Sequence, residues 1–267
     1  MKKVGLTGLA FTLLASFQLK NTKYEYRYLS NKSFETGSRI EYKVHFGWVN
    51  AGTATILLDK GVHEVNGRTC YKVDVYGNSS GLLDCVVKIR NQWGTYIDTS
   101  AFISHRFYRY IIEDNYKKNE RVHFDHEKKL AIVERLSDDD REVLMETAKF
   151  KIPDNIQDIV SSYYYLTTLD FDKIEEGATI SLDAFFDDKV YDFKVCFLGR
   201  EKLKTKLGTF NTLVLSPVLP RNSLFSEGNA IAIWLSDDKS KIPLKIQANL
   251  LVGAIEVDIK SLEREDQ

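Results

Sequence analysis

The sequence predicts a mainly β protein, a large curved antiparallel sheet or open β-barrel packed around one main helix. Three observations carry that expectation. About a dozen segments rich in β-branched and aromatic residues recur at the roughly 8–12-residue spacing of antiparallel sandwiches and barrels. Several of them alternate apolar and polar side chains with a period of two. Only one substantial stretch, Asp154 to Leu166, carries helical periodicity. No βαβ series is visible, which argues against a parallel sheet.

The chain of 267 residues is long enough for one large β domain or two small ones. A net charge of -1 provides no field that would favour nucleic acid or an anionic membrane. The start reads as an export signal. Lys2 and Lys3 precede an apolar run from Val4 to Phe17, shorter than the roughly 20 residues a spanning helix needs. Residues 1–19 are therefore expected to be a signal peptide, cut at about residues 15–20, with export to the periplasm or cell envelope. No later stretch is apolar enough to form a transmembrane helix. Cys70, Cys85 and Cys196 form an odd set in apolar settings and read as small buried hydrophobes, with a Cys70–Cys85 bridge as the alternative.

Residues 20–38 are polar and Tyr-rich and read as an irregular arm; 39–262 read as a single β-rich domain and 263–267 as a polar tail. The first strand places Ile40, Tyr42, Val44, Phe46 and Trp48 opposite Glu41, Lys43, His45 and Gly47. Asn50-Ala51-Gly52 is expected to turn the chain. Asn66-Gly67 is a hairpin signal, because both residues tolerate the positive φ of a type I′ turn. Gly81 to Val87 breaks the alternation and reads as a short helical turn or bulged crossover. Strand signals follow at 89–97, 106–113, 120–126, 130–135 and 142–150. In the helix, Asp154 is the expected N-cap with Gln157 as capping-box partner, and Ile156, Ile159, Tyr163 and Leu166 form the buried stripe. Strands resume at 180–186, 190–198, 203–204, 209–218, 230–235, 242–248 and 251–262. No linker interrupts 39–262, although two β lobes meeting near Lys151-Ile152-Pro153 is an alternative.

Several groups look chemical and have plainer readings. Asp237 and Asp238 follow Trp234-Leu235-Ser236, but neighbouring strand residues point to opposite faces, and Asp, Ser and Lys before Ile242-Pro243 suit a hairpin loop. His123 and Asp125 share a strand face without the further ligands a metal needs. His45, His63 and His105 read as isolated surface or sheet residues. Ser161 and Ser162 read as small packing residues. No nucleophile elbow, P-loop or zinc motif is present, so no catalytic residue, metal or cofactor is assigned.

Ala51-Gly52-Thr53-Ala54, the helix around Gln157-Asp158 to Leu166, Lys206-Leu207-Gly208-Thr209-Phe210, and Trp234 to Asp238 leading to Ile242-Pro243 occur together and in order. They resemble a family of exported bacterial domains, the domain-of-unknown-function 3108 family, over roughly residues 35–262. Ile159 and Val160 stand where that pattern usually has Pro-Leu. The resemblance implies an architecture similar to the periplasmic lipoprotein carriers, an open β-barrel lidded by helix whose concave face holds acyl chains. On that analogy, and given an aromatic content of 12%, the expected ligand is apolar or amphipathic, a lipid or lipoprotein. The expected lining is Tyr42, Phe46, Trp48, Tyr163, Leu166 and Trp234. The alternatives are a structural or protein-interaction component of the envelope and, third, a hydrolase.

Overall fold

A computed structural model describes residues 24–30, 36–81, 83–218, 230–251 and 253–264. The expected signal segment lies outside the described residues, as does the end of the tail. Residues 24–30 have no regular secondary structure.

Among the described residues fourteen strands form one antiparallel sheet. They are β1 (Ser38–Phe46), β2 (Val49–Val65), β3 (Arg68–Ser79), β4 (Arg90–Asp98), β5 (Ser104–Glu113), β6 (Tyr116–Asp125), β7 (Leu130–Leu136) and β8 (Leu144–Lys151). After a helix, α1 (Ile159–Thr167), follow β9 (Thr179–Phe186), β10 (Lys189–Thr205), β11 (Gly208–Pro217), β12 (Ile231–Ser236), β13 (Pro243–Asn249) and β14 (Ala254–Arg264). The order is β8-β7-β6-β5-β4-β3-β2-β1-β14-β13-β12-β11-β10-β9. Two meanders thus meet where β1 pairs with β14, and the chain crosses from one outer edge to the other through α1.

The sheet curls until its edges approach without pairing. The segment between β8 and α1 bridges the gap: Ile152 N donates to Lys129 O (3.0 Å), Gln157 N to Asp183 O (2.9 Å) and Phe185 N to Gln157 O (2.8 Å). Phe185 sets its ring against Phe124 and Phe150 of the other meander, with centroids 5.9 and 5.7 Å apart. β9 gains partners from this segment, whereas β8 pairs only with β7 and keeps its outer edge open.

The helix starts later than the periodicity predicts. Asn155 has φ 58°, a left-handed conformation that ends any helical run beginning at Asp154. Ile156 and Gln157 are then drawn out extended against β9. Asp158 is the N-cap. Its carboxylate accepts from Val160 N and Ser161 N (2.7 and 2.8 Å), while Ser161 Oγ accepts from Asp158 N (2.8 Å). Asp154 instead pairs with Lys129 (2.7 Å), and Gln157 donates to Phe102 O (2.6 Å). The buried stripe is corrected accordingly: Ile159 is 43% exposed, whereas Val160, Tyr164 and Leu166 are buried. Val160 and Tyr164 join a core with Phe107, Phe124 and Phe185. Leu166 joins a second with Phe197, Leu213 and Leu235. Ser161 and Ser162 are buried as close-packing residues, and Ser162 Oγ donates to Asp158 O (2.7 Å).

The first hairpin is also displaced. The turn is Gly47-Trp48, with Gly47 at φ 57° and Phe46 facing Val49, so β1 stops before Trp48. Asn50, Ala51 and Gly52 lie inside β2. Gly52 is there for close approach, since a Cβ would fall 2.3 Å from Asn78 O. Asn66-Gly67 does form the expected turn, with φ 54° and 68°, and 83–85 is a short 3-10 turn. The separate segments at 190–198 and 203–204 are one strand, β10. All three cysteines are free. Cys70 is buried, but Cys85 is exposed and Cys196 intermediate, so neither the bridge nor uniform burial holds.

Candidate functional site

One end of the curled sheet gathers the turns after β1, β3, β5 and β7 and the β13–β14 turn; the other gathers those after β2, β4 and β6. At the first end the small residues of β2 and β3 leave an open groove of about 630 Å³. Val44 and Phe46 form one wall with Ile255, the cross-strand partner of Phe46. Ala54 and its partner Gly77 form the floor, and a Cβ added at Gly77 would meet nothing within 4 Å. Val86 closes the side. None of the described residues lining it is charged, and nearly all of its exposed wall is carbon. Val86 is itself 74% exposed, and beyond the rim Trp48 (94% exposed) and Leu251 (65%) stand on two separate turns.

Of the six residues expected to line a cavity, Phe46 does, and Trp48 sits beside it in the hairpin turn. The other four do not. Tyr42 is buried and its OH donates to Pro243 O (2.9 Å). Tyr163 packs its ring on Tyr164 and donates to Lys241 O (3.0 Å). Leu166 is core. Trp234 lies on the opposite face of the sheet, its Nε1 on Glu201 and its ring 5.8 Å from Lys245 Nζ. The space among Ile40, Leu58, Tyr163, Tyr164 and Leu262 is only about 30 Å³, room for no more than a water. The helix is thus a core element and not a lid over a ligand. The groove was missed because its signal is absence of bulk: the run Ala51-Gly52-Thr53-Ala54 and a glycine, Gly77, in a strand interior.

The acidic pair behaves as a turn. Asp237 Oδ2 accepts from Arg200 Nε (3.0 Å), while Asp238 Oδ1 accepts from Ser236 Oγ (2.9 Å) and Ser240 N (2.8 Å). His123 faces Glu134 and Asp125 holds Lys128.

The opposite end brings together His105, expected as an isolated surface or sheet residue, and His126, just past the end of β6. His105 is fully buried, and His126 is 3% exposed. His105 Nε2 donates to Asp98 (3.2 Å), and its Nδ1 accepts from Asn66 Nδ2 (3.3 Å). His126 Nε2 donates to Ser104 O (2.8 Å), leaving Nδ1 buried without a partner. Tyr26 of the arm covers both rings, with centroids 5.9 and 6.0 Å away. Arg27 straps the arm to Ala101 O and Phe102 O (2.7 and 2.9 Å). Burial lowers the His126 pKa to about 4, against about 6.5 ordinarily. Because the fold holds the neutral ring, the stability linked to it is present above pH 6.5 and lost as pH falls from about 6.5 towards 4. Burial works against the Asp98 carboxylate, but His105, Arg68 and two backbone N–H groups hold its pKa well below the usual range, so its loss comes at lower pH. Thermal melts across pH 7 to 4 should show a falling midpoint that His126→Gln flattens; an unchanged slope in the variant would contradict this assignment.

The model of the family described as "Protein of unknown function (DUF3108)" matches residues 41–260. The chain belongs to the DUF3108 family. No curated protein matches the sequence. Among solved structures, this DUF3108 domain is similar to a β-barrel-like protein of the domain of unknown function DUF1849 from Brucella abortus. That likeness has a TM-score of 0.53 at 11% identity and covers 91% of this chain and 100% of the other. It is evidence for a shared β-barrel-like fold alone. Weaker likenesses are to a candidate lipoprotein from Parabacteroides distasonis (TM-score 0.31, 10% identity, 90% and 100% covered) and a candidate exported protein with a YmcC-like fold from Bacteroides fragilis (0.32, 8%, 89% and 100%). In DUF3108 terms, the Ala51–Ala54 motif is the part of the resemblance that borders the groove.

Proposed function

We propose that this DUF3108 domain is an exported, periplasmic or envelope-located binding protein that holds an apolar or amphipathic, lipid-like ligand without catalysis. The observation that carries the reading is the uncharged groove of about 630 Å³ at the β1–β2–β3 end, within the roughly 300–1,000 Å³ range of small-molecule sites. Export is supported by Lys2-Lys3 and the apolar run Val4 to Phe17. Among the described residues no helix is long and apolar enough to cross a membrane, which says nothing of strands.

The groove can be filled from within. Gly77→Phe projects a ring into open space and is expected to weaken binding of a fluorescent fatty-acid analogue by more than about tenfold, with the melting temperature little changed. Wild-type binding by the variant would remove the groove from the proposal. A second reading, an envelope component that binds other proteins through a sheet edge, is favoured by β8. It is an outermost strand with Leu144 and Met145 54% and 68% exposed. Pull-down from envelope fractions with Met145→Lys as control separates the two, because that change leaves the groove intact.

A further inference from the structure

Resting on the reading of the groove as a ligand site, we infer that it takes a single aliphatic chain and selects by that chain alone, leaving the headgroup in water. The ligand class is therefore single-chain amphiphiles, whether their headgroups are anionic, zwitterionic or neutral.

Headgroup recognition needs donors or charges aimed at the ligand, since carboxylates and phosphates are held by charge-assisted hydrogen bonds. None of the described lining residues supplies a charge; of the polar ones, Ser79 Oγ already donates to Asp84 Oδ1, and Thr53 and Asn78 stand opposite each other in the register of Lys43, on the other face of the sheet. The guanidinium beside the groove, Arg90, is already committed. Its Nη1 and Nη2 donate to the two carboxylate oxygens of Asp84 (2.8 and 3.1 Å), and Nη1 also donates to Ser79 Oγ (3.2 Å). Hydrogen bonds from Arg90 and Ser79 hold the Asp84 pKa at about 2, so the pair stays ionised and occupied. Lys43 and His45 alternate with Val44 and Phe46, which turns them to the other face of β1.

The dimensions set the length of that chain. Val49 to Ala54, both bordering the groove, spans about 16 Å of extended strand, a length suited to a medium aliphatic tail. The space opens because Ala54 and Gly77 face each other across β2 and β3; a side chain at 77 would divide it. At the open side the apolar surface continues onto Trp48, Val86 and Leu251. Indole, with an apolar body and a polar N–H, suits the position where a tail meets its headgroup.

The test is displacement of a fluorescent acyl probe from the wild-type chain. Competitors are saturated fatty acids, monoacylglycerols and lysophosphatidylcholines, matched in chain length, at low and high salt. The expected result is affinities within about threefold across headgroups at one chain length, and a gain of about fourfold per added methylene until the groove is full. Salt should have no effect, because no exposed charge pair is formed. Gly77→Phe should weaken every competitor by more than about tenfold and Gly77→Leu by less, with melting curves confirming that both are folded. Tight binding of one headgroup class, or binding that salt weakens, would overturn the chain-only inference while leaving the groove a ligand site. Failure of every competitor and of the probe to bind would overturn the ligand reading itself.

Discussion

Replacing Asp158 with Ala is expected to lower stability by about 3 kcal/mol, the sum of a lost N-cap and buried donors left unpaired. For a domain of this size that corresponds to a fall of roughly 5–10 °C in melting temperature. The side chain is fully buried, and it joins α1 to the sheet as well as capping it. Oδ1 accepts the two N–H groups of the first turn, while Oδ2 accepts Thr95 Oγ1 of β4 (2.5 Å), itself 3.2 Å from Ser104 Oγ of β5. Burial raises the Asp158 pKa, against the hydrogen bonds it accepts. A carboxyl whose folded pKa is raised favours the fold fully below its unfolded value of about 3.9, and that contribution is lost as pH rises. Asp158→Asn keeps an acceptor for the two N–H groups and a polar partner for Thr95. It is therefore expected to retain most of the stability, with the wild type's margin over it shrinking as pH rises from about 4. Denaturant melts of both variants at pH 4 and 7 check this; an Ala variant as stable as wild type would show that the cap does not anchor α1.

A loss of about 3 kcal/mol is expected for Arg109→Met, because it removes the main partner of a buried acid, Glu120, which keeps Lys118 Nζ 3.5 Å from its Oε2. Arg109 and Glu120 have side chains only 6% and 5% exposed. Arg109 Nε donates to Glu120 Oε1 (3.0 Å), and the guanidinium also pairs with Asp187 in the β9–β10 turn and lies 4.7 Å from the Phe186 ring centroid. Arg135 likewise pairs with Asp188 of the same turn. These contacts tie the last meander to the inner face of the first where the edges do not hydrogen-bond. Asp187, half exposed, is expected to matter less, with Asp187→Asn costing under about 1 kcal/mol. The double change Arg109→Met with Glu120→Leu should recover much of the loss, since no charge then stays buried. Equilibrium unfolding of the three variants decides the matter, and a double variant no better than Arg109→Met alone would locate the cost in the Asp187 contact.

How much was legible follows from the range of each interaction. Alternation along Ile40, Tyr42 and Val44, and the positive-φ pair Asn66-Gly67, depend on neighbours within a few residues, and both appear in the structure as expected. The run Ala51–Ala54 was visible as a family motif, but its consequence was not. Small residues read as a turn until the neighbouring strand shows Gly52 against Asn78 O and Gly77 opposite Ala54. Tyr42 and Leu166 are buried as their alternation and periodicity suggest, and Tyr163 partly so, but whether an interior residue lines a void or fills it depends on volumes contributed from distant strands. His105 and His126 sit 21 positions apart in sequence with rings 5.0 Å apart, and no local pattern signals that meeting.

The sequence by itself determined the β class, the main helix and the antiparallel course, because strand alternation and turn conformation are written in adjacent residues. Tertiary structure alone decided where the helix begins, since the hydrogen-bonding demand of β9 draws Ile156 and Gln157 out of it. It also decided where the molecule is hollow. Large side chains from both meanders converge beneath α1, whereas alanine and glycine face each other at the other end, and packing volume is a property of the assembled neighbours and of no single segment.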